Sequence, residues 1–311
     1  MRILVLGADG FVGKRALAAL AATDWATPVA GGRRECDKGV IERIVLDATD
    51  QAAVAKAVDR VDAVVNCIAG DNRAVINNAK ALAAAGSGKR IVHLSSMAVY
   101  GSATGTIDEA APLLADNGAY AAAKAQAERH LAGVAQLVIL RPGCIYGPHS
   151  AQWTQRIADL LIAHRIGDLG AGGDGYSNLV HVDDVATAIL SALRFPGAAG
   201  QAFNLAMPDA PDWNGYFLAL ARALGAVPIR RLPEWRLKIE TRLIAAPLRI
   251  AASGSHRLPP PIPPSLARLW RQDIRLSSAR ASSMLAMRWT SLDEGIAGSA
   301  AWYSGRPRND A

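Results

Sequence analysis

The sequence has 311 residues, of which 51% are hydrophobic and 20% charged, a balance that excludes a disordered or fibrous chain. The net charge is +7, but no zinc-finger, basic-zipper or RNA-recognition pattern accompanies the arginine-rich residues 230–311, so nucleic-acid binding is not expected. No apolar run approaches the roughly 20 residues that span a bilayer, and the N-terminal run is too short for a secretory signal. Because the three cysteines form no CxxC pair, we expect a cytoplasmic protein without a disulfide framework or a thiolate metal site.

Residues 1–145 alternate short apolar runs with alanine-rich segments of helical spacing. The predicted strands cover residues 3–6, 28–31, 41–46, 63–68, 90–94 and 137–140, and the predicted helices cover 11–22, 51–59, 73–85 and 119–132. Short continuous apolar strands between helices are typical of a parallel sheet that is covered on both faces. The pattern predicts a doubly wound α/β domain with a parallel-sheet Rossmann fold.

The alternation loosens after residue 145 and resumes with a predicted strand at 179–182 and a predicted helix at 185–193. We therefore predict a Rossmann dinucleotide-binding domain over 1–206, with 146–178 as an excursion towards a second lobe. The smaller C-terminal lobe, over 207–311, is predicted to bind the substrate.

Two segments of this lobe have a distinctive composition. Residues 254–264 are too rich in proline to form a helix or a central strand. Residues 235–252 are basic and amphipathic, which favours a helix packed on the sheet domain. Contact with a membrane surface, or a cover over an apolar substrate, is the alternative.

A glycine-rich turn directly follows the first strand and opens the first helix. The turn comprises Gly7, Asp9, Gly10, Phe11, Val12 and Gly13. Small residues here let the backbone approach a pyrophosphate, to which the helix N-terminus presents N–H donors. The spacing is GxxGxxG rather than GxGxxG, and a tight turn without a ligand is the alternative. Its position at the first strand–helix junction favours a dinucleotide site.

The second strand ends in Gly32, Arg33 and Arg34, without the acidic residue that would bond the adenosine ribose of NAD. Two guanidinium groups are instead available to a 2′-phosphate, so we predict NADP as the cofactor and favour NAD less. Two solvent-exposed loop arginines are the alternative.

The ends of the third and fourth strands complete the predicted cofactor site. Asp47, followed by Ala48, is placed to meet the adenine. The fourth strand ends in a run whose small residues would let the chain pass close to the cofactor, namely Cys67, Ile68, Ala69 and Gly70.

Tyr120 and Lys124 stand four residues apart on the alanine-rich helix and therefore share a face. A lysine ammonium beside a phenol lowers the phenol pKa from about 10 towards neutrality, so that the phenol can exchange a proton with a substrate oxygen. Ser95 and Ser96 follow the fifth strand, at the sheet edge where ligands bind in such folds. An amphipathic helix with a half-buried tyrosine is the alternative, but the serine and glycine turns together favour a catalytic site.

His181, Asp183 and Asp184 form the strongest candidate metal site. An aspartate just before the predicted helix at 185–193 is a good N-cap, and we favour that role. Because the remaining histidines form no HxxxH pair, no metal site is predicted.

These motifs together resemble the extended short-chain dehydrogenase/reductases, the NAD(P)-dependent epimerase/dehydratase family. The resemblance covers nearly the whole chain. Its motifs are GADGFVG at 7–13, LSSMAVYG at 94–101, YAAAK at 120–124, RPGCIYGP at 141–148, HVDDVA at 181–186, FNLA at 203–206 and the closing WTSLDEGIAGSAAWY at 289–303.

The resemblance implies that Ser96, Tyr120 and Lys124 form the catalytic set, with Ser95 as the fallback for the serine. Tyr120 would be the acid or base, and Lys124 would also hold the nicotinamide ribose. A loop would lie along the nicotinamide, comprising Pro142, Gly143, Cys144 and Ile145. Helices like those at 73–85 and 119–132 commonly form a four-helix bundle in family dimers, so a homodimer is expected.

The implied activity is that of an NAD(P)-dependent oxidoreductase that transfers a hydride reversibly at a secondary alcohol or ketone of a small molecule. A nucleotide-sugar epimerase or dehydratase, with transient oxidation of the sugar, is the alternative. Two departures weaken it, the absence of an acid at Gly32 and of a basic residue within 176–179. A non-catalytic NADPH-binding sensor or scaffold is a second alternative, against which the intact serine, tyrosine and lysine argue.

Overall fold

The computed structural model describes residues 1–35, 40–86, 88–239, 241 and 262–306. Its strands are β1 (Arg2–Leu6), β2 (Thr27–Gly32), β3 (Glu42–Val45), β4 (Ala63–Asn66), β5 (Arg90–Leu94), β6 (Gly105–Ile107), β7 (Leu137–Pro142), β8 (Cys144–Tyr146), β9 (Leu179–His181), β10 (Gln201–Leu205) and β11 (Ile274–Leu276). Its helices are α1 (Phe11–Ala21), α2 (Gln51–Val58), α3 (Asn72–Ala85), α4 (Ala119–Leu131), α5 (Arg156–Ile162), α6 (Val182–Arg194), α7 (Trp213–Ala223), α8 (Glu234–Ile239), α9 (Pro264–Leu269), α10 (Ala279–Met284) and α11 (Leu292–Ser304).

A seven-stranded parallel sheet forms the centre of the molecule, in the order β10-β7-β5-β4-β1-β2-β3. Within it Leu4 pairs with Val29 on one side and with Val64 on the other. All three of these side chains are buried, as expected for strands covered on both faces. The predicted doubly wound Rossmann fold is confirmed. Its strand order reverses beside β1, and ligands bind at the carboxyl ends of the strands at such a point.

Two layers of helices cover the sheet. Val5 and Val92 face α1 and α6 in one core, whereas Leu6, Val64 and Ile91 face α2, α3 and α4 in the other. The helices bury one stripe each because their apolar residues recur at helical spacing. The two layers leave the carboxyl ends of β1, β2, β4 and β5 open between them.

A further core joins the segment around α5 to the C-terminal part of the chain. Its centre is aromatic, with Trp213, Tyr216, Phe217 and Trp270 fully buried. Ile157 of α5 packs into the same cluster. The domain boundary near residue 207 stays a prediction, since this core takes residues from both sides of it.

The predicted start of α6 was wrong. The helix begins at Val182 rather than 185, and the side chain of His181, not an aspartate, accepts the bond from the Asp183 backbone N–H. Asp183 instead forms an ion pair with Arg15 of α1. Asp184 accepts hydrogen bonds from the backbone N–H and the hydroxyl of Thr290, at 3.1 and 2.7 Å. Both carboxylates therefore tie α6 to neighbouring elements.

Much of the predicted amphipathic stretch 235–252 lies outside the described residues, as does most of 254–264. The part that is described forms α8. No helix in the described ranges combines the length and the apolarity that crossing a bilayer requires.

Candidate active site

A cleft of about 1340 Å³ runs along the carboxyl ends of the sheet strands. Most of the sequence-predicted site residues line it, namely Gly7, Asp9, Gly10, Phe11, Val12, Arg33, Asp47, Ala48, Cys67, Ile68, Ala69, Gly70, Ser96, Tyr120, Lys124, Pro142, Gly143, Cys144 and Ile145. Gly13 and Arg34 do not line it. In the part of the chain that the structure describes, no group of three His, Cys, Asp or Glu side chains could hold a metal ion.

The glycine turn is held in a shape that only small residues allow. Gly7 has φ +77°, and a Cβ there would lie 2.9 Å from the Cys67 carbonyl oxygen. A Cβ on Gly13 would collide with the Gly7 backbone, so Gly13 lets α1 pack closely on the turn. Gly10 caps α1 without a side-chain acceptor, which leaves its first N–H groups open to the cleft. This cradle fits the pyrophosphate of a dinucleotide.

Of the two arginines at the end of β2 that were predicted to bind the cofactor, only Arg33 lines the cleft. Arg33 lines the cleft, whereas the carbonyl oxygen of Arg34 accepts a 3.0 Å hydrogen bond from Nη1 of Arg43 on β3. Arg43 also forms an ion pair with Asp9 of the glycine turn. Sequence reasoning missed Arg43, because only the pairing of β2 with β3 brings it beside the turn.

Asp47 closes the cleft at the end that is predicted to hold the adenine. Its Oδ1 accepts hydrogen bonds from the backbone N–H and the hydroxyl of Thr49, at 2.9 and 2.8 Å. These bonds, with a further contribution from the Arg33 charge, hold the pKa of Asp47 below its usual value. Asp47 is therefore a fixed carboxylate at the cleft edge.

Lys124 lies almost fully buried beneath the other end of the cleft. Its Nζ donates hydrogen bonds to the carbonyl oxygens of Leu94 at 2.8 Å and Ile68 at 3.3 Å. Burial lowers the pKa of Lys124 to about 8, although the charge of Glu128 opposes that shift. The lysine thereby ties α4 to the ends of β4 and β5.

Tyr120 lies one helical turn before Lys124, and 45% of its surface is exposed. Partial burial of the phenol raises its pKa, and the neighbouring Ser96 hydroxyl opposes the rise. The sequence expectation that Lys124 lowers this pKa was therefore wrong. The physical reason is that the Lys124 ammonium bonds to two backbone carbonyls instead.

The two serines after β5 have different surroundings. Ser95 is buried, and its hydroxyl donates to Oε1 of Glu128 at 2.5 Å. Glu128 in turn accepts hydrogen bonds from Arg141 at 2.7 and 3.1 Å. The Oγ of Ser96 accepts a hydrogen bond from the Ala98 N–H at 3.2 Å. Ser96 also lines the cleft with Tyr120, whose pKa it lowers. This arrangement favours Ser96 over Ser95 as the serine that meets a substrate.

Residues that sequence reasoning missed line the far end of the cleft. They come from the segment before α5, from α9 and from the chain just after α9, and comprise Gln152, Trp153, Ser265, Leu266, Arg268, Leu269 and Gln272. They follow no motif, so no sequence signal could have identified them. Among these seven residues, Trp153, Leu266 and Leu269 are apolar, Arg268 is cationic and the other three are uncharged polar residues.

The fold and the cleft define a dinucleotide-binding protein of the Rossmann class. A model of the NAD dependent epimerase/dehydratase family matches residues 3–206. The chain belongs to this family, as its motifs had indicated.

The curated relatives match only part of the chain. Protein YeeZ of Escherichia coli (strain K12) is 29% identical over 156 residues, which are 49% of this chain and 51% of that protein. The chain thus spans about half the length of the curated relatives it matches.

Two solved structures resemble the chain over its whole length. The UDP-glucuronic acid 4-epimerase of Bacillus cereus, in complex with UDP-glucuronic acid and NAD, is 17% identical with a TM-score of 0.72, and the match covers 98% of this chain and 99% of that one. The UDP-glucose 4-epimerase of Thermotoga maritima, with UDP-glucose, is 17% identical with a TM-score of 0.75, over 98% and 99% of the two chains. At such identities the likeness concerns the fold.

Proposed function

We propose that this enzyme transfers a hydride reversibly at a secondary alcohol or ketone of a small molecule, with NADP as the cofactor. The observation that carries the proposal is that Ser96, Tyr120 and Lys124 line the same cleft as the glycine turn. A bound nicotinamide would supply the carbon that donates or accepts the hydride. The residues of the glycine turn would hold its phosphates.

Tyr120 moves a proton at the substrate oxygen in this proposal. Because its pKa is not lowered, the phenol is protonated at neutral pH and carries the proton that a ketone oxygen would accept on reduction. Ser96 orients the same oxygen through its hydroxyl. Lys124 holds α4 against the strand ends and places its positive charge beneath the reacting groups.

The choice of NADP over NAD is supported by Arg33 in the cleft and by the absence of an acid at residue 32. A guanidinium forms bidentate hydrogen bonds with a phosphate, which a ribose hydroxyl cannot replace. Solved structures of similar fold hold NAD, so a preference for NADPH would rest on residues particular to this chain.

A nucleotide-sugar epimerase or dehydratase is the second candidate. The B. cereus and T. maritima structures hold UDP-sugars, and Arg268 at the far end of the cleft offers a cation for a diphosphate. Against it, position 178, in the segment where many members of the family carry a basic residue, is a buried Asn. The Asn178 amide donates to the Ile274 carbonyl at 2.7 Å.

Turnover of a substrate panel tests the proposal. Purified protein with NADPH is offered sugar-like, polyketide-like and sterol-like ketones, and UDP-sugars are offered separately with NAD. We expect net oxidation of NADPH with at least one ketone. Interconversion of UDP-sugars without net cofactor consumption would identify the epimerase instead. Tight NADPH binding without turnover of any compound would identify the non-catalytic sensor.

A further inference from the structure

A carboxylate from the glycine turn occupies the space beside Gly32. A Cβ on Gly32 would lie 2.7 Å from Oδ2 of Asp9 and 3.0 Å from Nη1 of Arg43. Residue 32 itself carries no acid, but an acid and a base from two other elements fill the place of its side chain. The charge at this edge of the cleft therefore cannot be read from the end of β2 alone.

The two partners differ in how firmly they are held. The Arg43 side chain is 15% exposed, and its Nη1 donates to Oδ2 of Asp9 at 3.3 Å and to the carbonyl of Arg34 at 3.0 Å. The Asp9 side chain is 56% exposed and lines the cleft. Arg43 is thus a fixed cation behind the cleft wall, and Asp9 is its neutralising partner on the cleft side.

We propose that the Asp9–Arg43 pair sets the preference of the site between a cofactor with a 2′-phosphate and one with a free ribose hydroxyl. The Asp9 carboxylate repels a phosphate dianion and can accept a hydrogen bond from a ribose hydroxyl. Arg43 adds its charge to that of Arg33 and attracts the phosphate. Asp9 lowers the selectivity for NADPH, and Arg43 raises it.

The charges around this edge support opposing roles for the pair. With Asp9 in place, Arg43 is neutralised and Arg33 is the cation that lines the cleft there. The Asp47 carboxylate also lies near Arg33, since that charge contributes to its lowered pKa. Removal of the Asp9 charge leaves two cations opposite one carboxylate, which is an anion-binding arrangement.

The inference rests on the proposed function, because it assumes that a dinucleotide occupies the cleft. It also identifies the residues at which substitutions should alter the cofactor preference. An aspartate introduced at residue 32 would crowd Asp9 and Arg43, so the informative substitutions lie at those two residues.

Dissociation constants of NADPH and NADH, from fluorescence titration of the full chain, test the inference. For Asp9→Asn we expect the ratio of NADPH to NADH affinity to rise by about tenfold, and for Arg43→Gln to fall by about tenfold, the size expected for one charge-assisted hydrogen bond. Glu42→Gln is the matched control, because Glu42 precedes Arg43 on β3, forms an ion pair with Arg2 of β1 and does not line the cleft. It should change the ratio by less than about twofold.

Thermal melts show whether each variant is folded, and Arg43→Lys, which keeps the charge, should retain most of the NADPH preference if Arg43→Gln fails to fold. A ratio that stays within about twofold in Asp9→Asn would overturn the inference while leaving the proposed function intact. A folded wild-type protein that binds neither dinucleotide would overturn both. Because the readout is binding, the result does not depend on finding a substrate.

Discussion

At the scale of single residues, burial shifts the pKa values of Tyr120 and Lys124 more than neighbouring charges do. The motif placed Tyr120 and Lys124 on one helix face correctly, but it could not predict the direction of the Tyr120 pKa shift. That direction depends on how much water each group loses and on the Lys124 hydrogen bonds to Leu94 and Ile68, which join distant parts of the chain. The spacing of residues along a helix predicts neither the loss of water nor these hydrogen bonds.

The buried Lys124 should make stability depend on pH in a definite direction. Its pKa is lowered to about 8 in the folded chain from 10.5, so the unfolded chain binds more protons between these values. The free energy of unfolding of the wild type, relative to Lys124→Met, should therefore rise by up to about 3 kcal/mol as pH increases through this window.

Denaturant unfolding of both proteins at several pH values measures this difference. Other lysines and tyrosines titrate in the two proteins alike and cancel in the comparison. A difference that stays constant from neutral pH to about pH 10 would show that Lys124 is not desolvated in the fold.

At the scale of elements, α4 shows what the sequence allows and what it does not. Tyr120, Lys124 and Glu128 recur every four residues, so their common orientation could be predicted from spacing alone. The partners of Glu128 could not, because Arg141 comes from β7 and Ser95 from the end of β5. The prediction of where α6 starts was wrong for a related reason. An aspartate can cap a helix or pair with a distant arginine, and the sequence does not distinguish the two roles.

At the scale of the whole molecule, the Rossmann fold could be predicted from alternating apolar runs, but the far end of the cleft could not. Trp153 and Arg268 reach the cleft from segments that are distant in sequence and follow no motif. They are brought together by the aromatic core around Trp213 and Trp270. The sequence thus indicated the cofactor end of the site and left the substrate end open.

Assembly is also a property of the whole molecule, and we expect a homodimer formed by α3 and α4. These helices pack against each other, and small or cationic side chains, including Ala84, Ala122 and Arg129, are exposed on them. Sedimentation at micromolar concentration should show a species of twice the chain mass, and Ala122→Arg should reduce it to the monomer. A wild-type protein that sediments at the mass of one chain would contradict this.

The central claim is that Tyr120 exchanges a proton with the substrate, and the turnover of Tyr120→Phe tests it most directly. The substitution removes the phenol oxygen but keeps nearly the same ring volume, so folding and NADPH affinity should change little. With a substrate from the panel, we expect turnover to fall by roughly 10²–10⁴, the range for losing general acid–base catalysis. Tyr176→Phe, at an exposed tyrosine that does not line the cleft, should retain wild-type turnover. Unreduced turnover in Tyr120→Phe would remove Tyr120 from the reaction.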